Sequence, residues 1–259
     1  MKTLMIIFLL IGVIAADLKP VKQFTVKSEI ILSDAIGNIY SVNGNSITLF
    51  NNNGQKLFSY SNPFLGDIAF ADVTDPMRIL LFFKDFNQVV FLSNKLTGIG
   101  SPIELDNAGY NQISICCTSH SGGFWLFNSQ ALQLIHLKGN LEADYKGTIL
   151  QSVFKENENM PVCLVEENNE IYMSVPKTGL LVFDKFGTYK RAISINDINY
   201  FQVVGGKIIY LSENNLISYS INNNNDTLKL PSDLNIISAS INKNRLAATN
   251  GNEIFIFEL

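Results

Sequence analysis

The sequence predicts an all-β protein folded as a six-bladed β-propeller, with four antiparallel strands per blade and the ring closed by the N-terminal strand. Three observations predict it. Short apolar, β-branched or aromatic runs recur along almost the whole chain between turns rich in Asn, Asp and Gly, and helical periodicity is nearly absent. The runs group in fours: the aligned third-run residues Phe50, Leu92, Ile135, Phe183, Tyr219 and Phe257 fall about 36 to 48 residues apart, the spacing of four-stranded propeller blades. The last group stops one run short, while a run near the N terminus has no local partner, so the two ends complete one blade. Closing the ring removes the unpaired edges that an open one would keep. Seven blades is the runner-up, and a pair of β-sandwiches leaves the split unit without a reason.

Taken in order, residues 1–16 read as an export signal. Lys2 is followed by the apolar run 4–14, too short to span a bilayer, and then by the small residues Ala15 and Ala16. Asp17 and Leu18 stand where a lipoprotein would need Cys, so the expected product is not lipidated. Residues 17–259 are expected to form one propeller domain. Residues 21–31 read as the orphan strand, with Phe24 and Val26 on one face. The runs 38–42, 46–50 and 56–60 form a meander, the first two joined by Asn43-Gly44, a strong hairpin signal.

Four-run units follow at 68–105, 113–145, 162–195 and 201–230, and the three-run unit 236–258 ends the chain. The clearest hairpin is 179–195, where Asp184-Lys185-Phe186-Gly187 supplies the Asp and Gly that a reversing backbone needs. Only 147–154 could form a short turn of helix.

Charged residues make up 16% of the chain and its net charge is −4, with no basic cluster. That composition argues against nucleic acid or an anionic membrane as partner. Of the three cysteines, Cys116 and Cys117 are neighbours and point to opposite faces of a strand. All three read as small buried hydrophobes, with a disulfide from Cys163 to either of the pair as the alternative.

Two quoted segments carry a resemblance. The pattern Phe183-Asp184-Lys185-Phe186-Gly187, echoed by Phe50-Asn51-Asn52-Asn53-Gly54, resembles six-bladed propellers of the NHL-like type. The arrangement of a signal peptide, then DVTDPMRILLFFKDFNQVVFLSN at 72–94, then GLLVFDKFGTYK at 179–190, is similar to a family of exported propellers without assigned activity from Gram-negative bacteria that possess type 9 secretion. That resemblance implies a soluble periplasmic protein, monomeric on its own, with a non-enzymatic interaction role. Within that role it suggests an accessory or plug component of the secretion translocon, with an outer-membrane β-barrel as partner.

Candidate chemistry is sparse. His120 lies in a turn and His136 on a strand, so a His-based catalytic triad is not expected. Asp67, Asp72 and Asp75 share one stretch but lack the alternating spacing of a calcium loop, and no CxxC or HxxxH pattern is present for zinc. Gly205-Gly206 is a hairpin turn, and no cofactor is expected.

The turns Lys84-Asp85-Phe86-Asn87 and Asp184-Lys185-Phe186-Gly187 each place a Phe beside opposite charges, where Asn and Gly alone would satisfy the backbone. Lys84, Asp85, Phe86, Phe186 and Tyr189 are therefore the candidate partner-binding residues. The plainer alternative folds each Phe back over the gap between blades. Trp125 is expected between blades, or else stacked against a ligand in the central funnel. The function these observations favour is a non-enzymatic interaction module. The alternative is a sugar-binding or hydrolytic propeller in which carboxylates such as Asp67, Asp72, Asp85 and Asp184 converge on the axis.

Overall fold

A computed structural model describes residues 18–154, 160–220 and 225–259; the expected signal, residues 1–16, lies outside them. Strand β1 (Lys22–Thr25) opens the described chain. Blade I comprises β2 (Ile30–Ser33), β3 (Ile39–Asn43), β4 (Ser46–Phe50) and β5 (Lys56–Ser61). Blade II holds β6 (Phe70–Asp72), β7 (Ile79–Phe83), β8 (Gln88–Leu92) and β9 (Ile103–Glu104), and blade III holds β10 (Ile113–Thr118), β11 (Phe124–Asn128), β12 (Gln133–Leu137) and β13 (Ala143–Ile149). Blade IV is β14 (Cys163–Glu167), β15 (Glu170–Val175), β16 (Gly179–Asp184) and β17 (Tyr189–Ile193). Blade V is β18 (Phe201–Val204), β19 (Lys207–Ser212), β20 (Asn215–Tyr219) and β21 (Asp226–Lys229). Blade VI takes β22 (Ser238–Asn242), β23 (Arg245–Thr249) and β24 (Glu253–Glu258) from the C terminus and β1 from the N terminus.

The six four-stranded antiparallel sheets form a six-bladed propeller closed through β1, which pairs with β24 from Lys22 opposite Ile256 to Thr25 opposite Glu253. One expectation needs correction. Residues 21–31 are two strands rather than one: β1 completes blade VI, and β2 begins blade I. The break falls at Val26–Glu29, where Val26 and Ser28 still donate backbone N–H groups to Asn252 and Gly251, while Glu29 already donates to Val42 of blade I. Buried Ser28 turns the chain there, its hydroxyl donating to the Ile30 carbonyl.

The short helical turn considered within 147–154 is present as one turn after β13, in which Val153 and Phe154 both donate to the Leu150 carbonyl. Phe154 stacks on Phe127 with centroids 5.6 Å apart. No helix among the described residues is long and apolar enough to cross a membrane.

Because each strand reverses the one before it, the turns alternate between the two ends of a blade. The turns joining strands 1 to 2 and 3 to 4 lie on one face, here the hairpin face. The 2-to-3 turns and the connections between blades lie on the other, the crossover face. This parity assigns every loop residue to a face and decides which candidates can act together.

The second and third strands of blades II to IV are apolar on both sides because a blade is covered by both neighbours, and Leu80, Phe82, Phe124, Phe127, Leu181 and Phe183 are fully buried. At the seam of blades II and III, Phe91 meets Phe124 edge-on at 5.8 Å. Arg78 lies 3.9 Å over the Phe91 ring and donates to the Gly123 carbonyl at 2.8 Å.

Candidate functional site

Lys84–Phe86 forms a single 3-10 turn between β7 and β8, on the crossover face. Asn87 ends it in the left-handed region, φ 47°, a conformation that Asn adopts more readily than most residues. Its amide Nδ2 donates to Asp106 at 2.6 Å and to the Tyr110 carbonyl at 2.8 Å, while its Oδ1 is buried without a partner among the described residues. Phe86 is 52% exposed. Beside it runs the connection from blade I to blade II, where a second short turn, Pro63–Leu65, presents Phe64 at 85% exposure. The two segments touch: a Cβ on Gly66 would stand 3.6 Å from the Phe86 ring and 3.7 Å from the Asp85 carboxylate. Next to the Phe86 turn, an open groove of about 740 Å³ is bounded by Lys84, Asp85, Asn87, Asp106, Gln112 and Gln130.

Phe64 was missed by sequence reasoning. The signal available was a large ring between turn formers, Asn62-Pro63-Phe64-Leu65-Gly66, in which the Asn62 side chain accepts the Phe64 N–H.

Phe186 lies in a 3-to-4 turn of blade IV, on the hairpin face, so it cannot share a contact surface with Phe86. It folds back over the blade III–IV seam, edge-on to Tyr145 at 5.2 Å, with the Lys185 ammonium 5.0 Å from its ring. Tyr189 is half-buried against Phe183 at 5.8 Å, and its backbone N–H donates to the Thr148 hydroxyl of blade III.

Trp125 has 1% of its surface exposed and donates its indole N–H to Glu166 of blade IV at 2.8 Å. It belongs to a row that crosses blade III from Cys117 through Trp125 and His136 to Tyr145. The ligand-stacking role considered for Trp125 is thereby corrected: the ring is closed in between blades and offers no face to the funnel.

Ser121, His136 and Asp144 stand in a sequence that superficially suits nucleophilic catalysis, with Ser121 Oγ 3.4 Å from His136 Nε2 and Asp144 3.7 Å from Nδ1. His136 Nε2 is, however, 2.9 Å from the Gly122 carbonyl, which can only accept a proton from it. A nitrogen committed in this way is not free to act as general base toward Ser121.

A funnel of about 360 Å³ opens on the axis toward the hairpin face, among Thr74, Glu167, Tyr200, Gln202, Asn242 and Lys243. Asp72 borders it but is consumed internally, accepting from the N–H and hydroxyl of both Thr74 and Thr118. Asp67 lies in a crossover connection beside Gly44. Asp75 accepts from its own loop through the Met77 N–H. Asp85 is on the crossover face, and Asp184 caps its own turn on the outer hairpin face, accepting from Phe186 and Thr188. The four carboxylates whose convergence the funnel reading required are therefore dispersed. No cluster of metal-ligating side chains occurs among the described residues.

All three cysteines are buried and unpaired. Burial pushes their thiols up, Cys163 to about 12.

No protein-family model matches this sequence, and no curated protein matches it. Solved structures match throughout. The β-propeller domain of Cps50 (Swd1) from Myceliophteria thermophila superposes with TM-score 0.65 at 8% identity, covering 93% of this chain and 99% of that one. Virginiamycin B lyase from Staphylococcus aureus gives TM-score 0.60 at 10% identity, with coverage of 92% and 99%. A chain of the mitotic checkpoint complex gives TM-score 0.58 at 7% identity, with coverage of 94% and 92%. At these identities the likeness establishes the propeller fold alone.

Proposed function

We propose that this protein is a rigid, non-catalytic propeller whose loop surface binds a protein partner. The observation that carries the reading is that two large rings, Phe64 at 85% and Phe86 at 52% exposure, stand open on the same crossover face, on segments that meet at Gly66. Exposed aromatic anchors of this kind mark interaction surfaces. The groups that could support chemistry are engaged instead in holding the ring together: Asp72 by two threonines, His136 by Gly122, Glu166 by Trp125. The fold is common to interaction modules, and one similar chain comes from a multiprotein complex, although another is a lyase.

The leader-like residues 1–16 support export, which puts the partner in the cell envelope. Docking to an outer-membrane barrel of the type 9 system is the finer form of the proposal and rests on the sequence resemblance alone. The test is affinity purification of the tagged protein from detergent-solubilised envelope of its native host, followed by reconstitution of any recovered pair from purified components. A stoichiometric partner that re-forms the complex supports the module. A protein that returns alone and monomeric overturns it and turns attention to a small ligand in the axial funnel.

A further inference from the structure

We infer that the crossover face, at the junction of blades I, II and III, binds a protein segment that presents Lys or Arg beside a large apolar side chain. This deepens the interaction-module reading and rests on it. Its strongest support is the distribution of charge. The net charge of −4 is too small to suggest a partner, but strand parity separates it into two unlike faces. Among the described residues, the crossover loops carry Asp67, Asp85, Asp106, Asp197, Glu213 and Asp233 against Lys84 and Lys177, with Lys27 and Glu29 offsetting each other. None of those six carboxylates is in an ion pair among the described residues. The hairpin face is mixed: its loops and adjoining strand ends carry Arg78, Lys95, Lys138, Lys185 and Lys243 beside Asp75, Glu142, Glu167 and Asp184, Asp34 being buried. The crossover face is therefore acidic while the hairpin face is mixed, and a surface with unpaired charge of one sign steers partners of the opposite sign.

Apolar anchoring occurs on that same acidic face. Phe64 and Phe86 come from different segments of the same face, 85% and 52% exposed, and their segments meet where Gly66 approaches the Phe86 ring and the Asp85 carboxylate, which also borders the groove. The groove supplies the third element, hydrogen-bonding capacity. Its walls include the amides of Asn111, Gln112 and Gln130 and the carboxylates of Asp85 and Asp106 as well as Lys84, and they offer acceptors to a peptide N–H or a cationic side chain. A segment with a ring or aliphatic side chain on Phe64 and Phe86, and Lys or Arg toward Asp85 and Asp106, satisfies all three. Phosphate-bearing partners meet repulsion there.

The test is to pan a random peptide phage library on the immobilised full chain and measure the selected peptides by fluorescence anisotropy. Enrichment of peptides with Lys or Arg close to Phe, Trp or Leu is expected. Their affinity should fall roughly tenfold or more in Phe64→Ser/Phe86→Ser and in Asp85→Lys, and should weaken between about 50 and about 500 mM NaCl. Phe186→Ser, on the opposite face, should leave it unchanged. All four positions are exposed, and thermal melts check that each variant folds. Enrichment of acidic peptides, or binding that survives both the Phe and the Asp85 variants, overturns the inference. If binding is lost in Phe186→Ser or Lys243→Glu instead, the module stands and this surface falls. If no peptide is enriched the surface likewise falls, while the module is judged by the envelope purification.

Discussion

Asp72 shows how this ring uses a buried carboxylate. Only 5% of it is exposed, and its two oxygens accept four hydrogen bonds, two from Thr74 in its own blade and two from Thr118 in the next. Removing the acceptor leaves the Thr74 and Thr118 N–H groups unsatisfied at a blade seam, while the two hydroxyls, 3.2 Å apart, keep only each other. Asp72→Ala should therefore cost about 3 kcal/mol in urea unfolding, and Asp72→Asn about half of that, since the amide keeps one acceptor and turns its donor toward a donor. Trp125 reads the same way from the other side. In Trp125→Phe the ring volume is largely kept, but Glu166, 7% exposed, loses its indole donor, for an expected loss of about 2 kcal/mol followed by circular dichroism. The cysteines allow a test of burial itself. With Cys163 raised to about 12 and the other two thiols also pushed up by desolvation, none should react with a thiol reagent at pH 8 in the native state. All three should react once denaturant opens the ring.

At the scale of the strand, blade IV carries a charge ladder across its outer half. Glu170 on β15 accepts from Lys190 and, at 3.4 Å, from Arg191 on β17, and also takes the Tyr172 hydroxyl at 2.8 Å. Burial alone raises its carboxyl, but these partners outweigh it and hold the group down at about 2. Because the folded chain binds that proton more weakly than the unfolded chain, with its ordinary value of 4.5, the ladder stabilises the fold above pH 4.5 and its contribution is lost as pH falls toward 2. Glu170→Gln should flatten this acid limb of the stability curve while costing only about 1 kcal/mol at pH 7, because solvent screens the pair.

Seams between blades set a different limit. A Cβ on Gly147 would come 2.1 Å from the Gly187 carbonyl oxygen of the next blade, whereas Gly139 has open space around it. Gly147→Ala should destabilise by more than about 2 kcal/mol, and Gly139→Ala should stay within about 0.5 kcal/mol. Strands and turns such as Asn43-Gly44 and 184–187 were legible in the sequence because alternation and turn chemistry are local. The close approach of Gly147 to Gly187 was not, since it depends on how two blades meet. The same reason hid Phe64: it gains meaning only on the face it shares with Phe86, which another segment supplies.

At the scale of the whole molecule the sequence revealed the count of blades and their closure, but not the faces. Parity of the strands places Phe86 and Phe186 at opposite ends of the propeller, although their turns look alike in sequence, and it gathers scattered carboxylates onto one acidic surface. Closure itself was legible as a missing run, yet its partner was hidden, because nothing in residues 21–31 tells which half pairs with which blade. The structure makes closure depend on β1. Four residues pair with β24, and Phe24 packs on Phe50 of blade I at 5.3 Å, so β1 joins the last blade to the first. A chain beginning at Lys27 keeps β2 and every strand after it but exposes β24 as an open edge. It also loses the Phe24 contact and four residues of ladder, together about 3 to 5 kcal/mol, which for a domain of this size lowers Tm by roughly 10 °C or more. Differential scanning calorimetry should show that drop, and light scattering should show association through the bare edge. A truncated chain that melts like the full one and stays monomeric would mean that the ring is held by its inner strands and that β1 is not its closure.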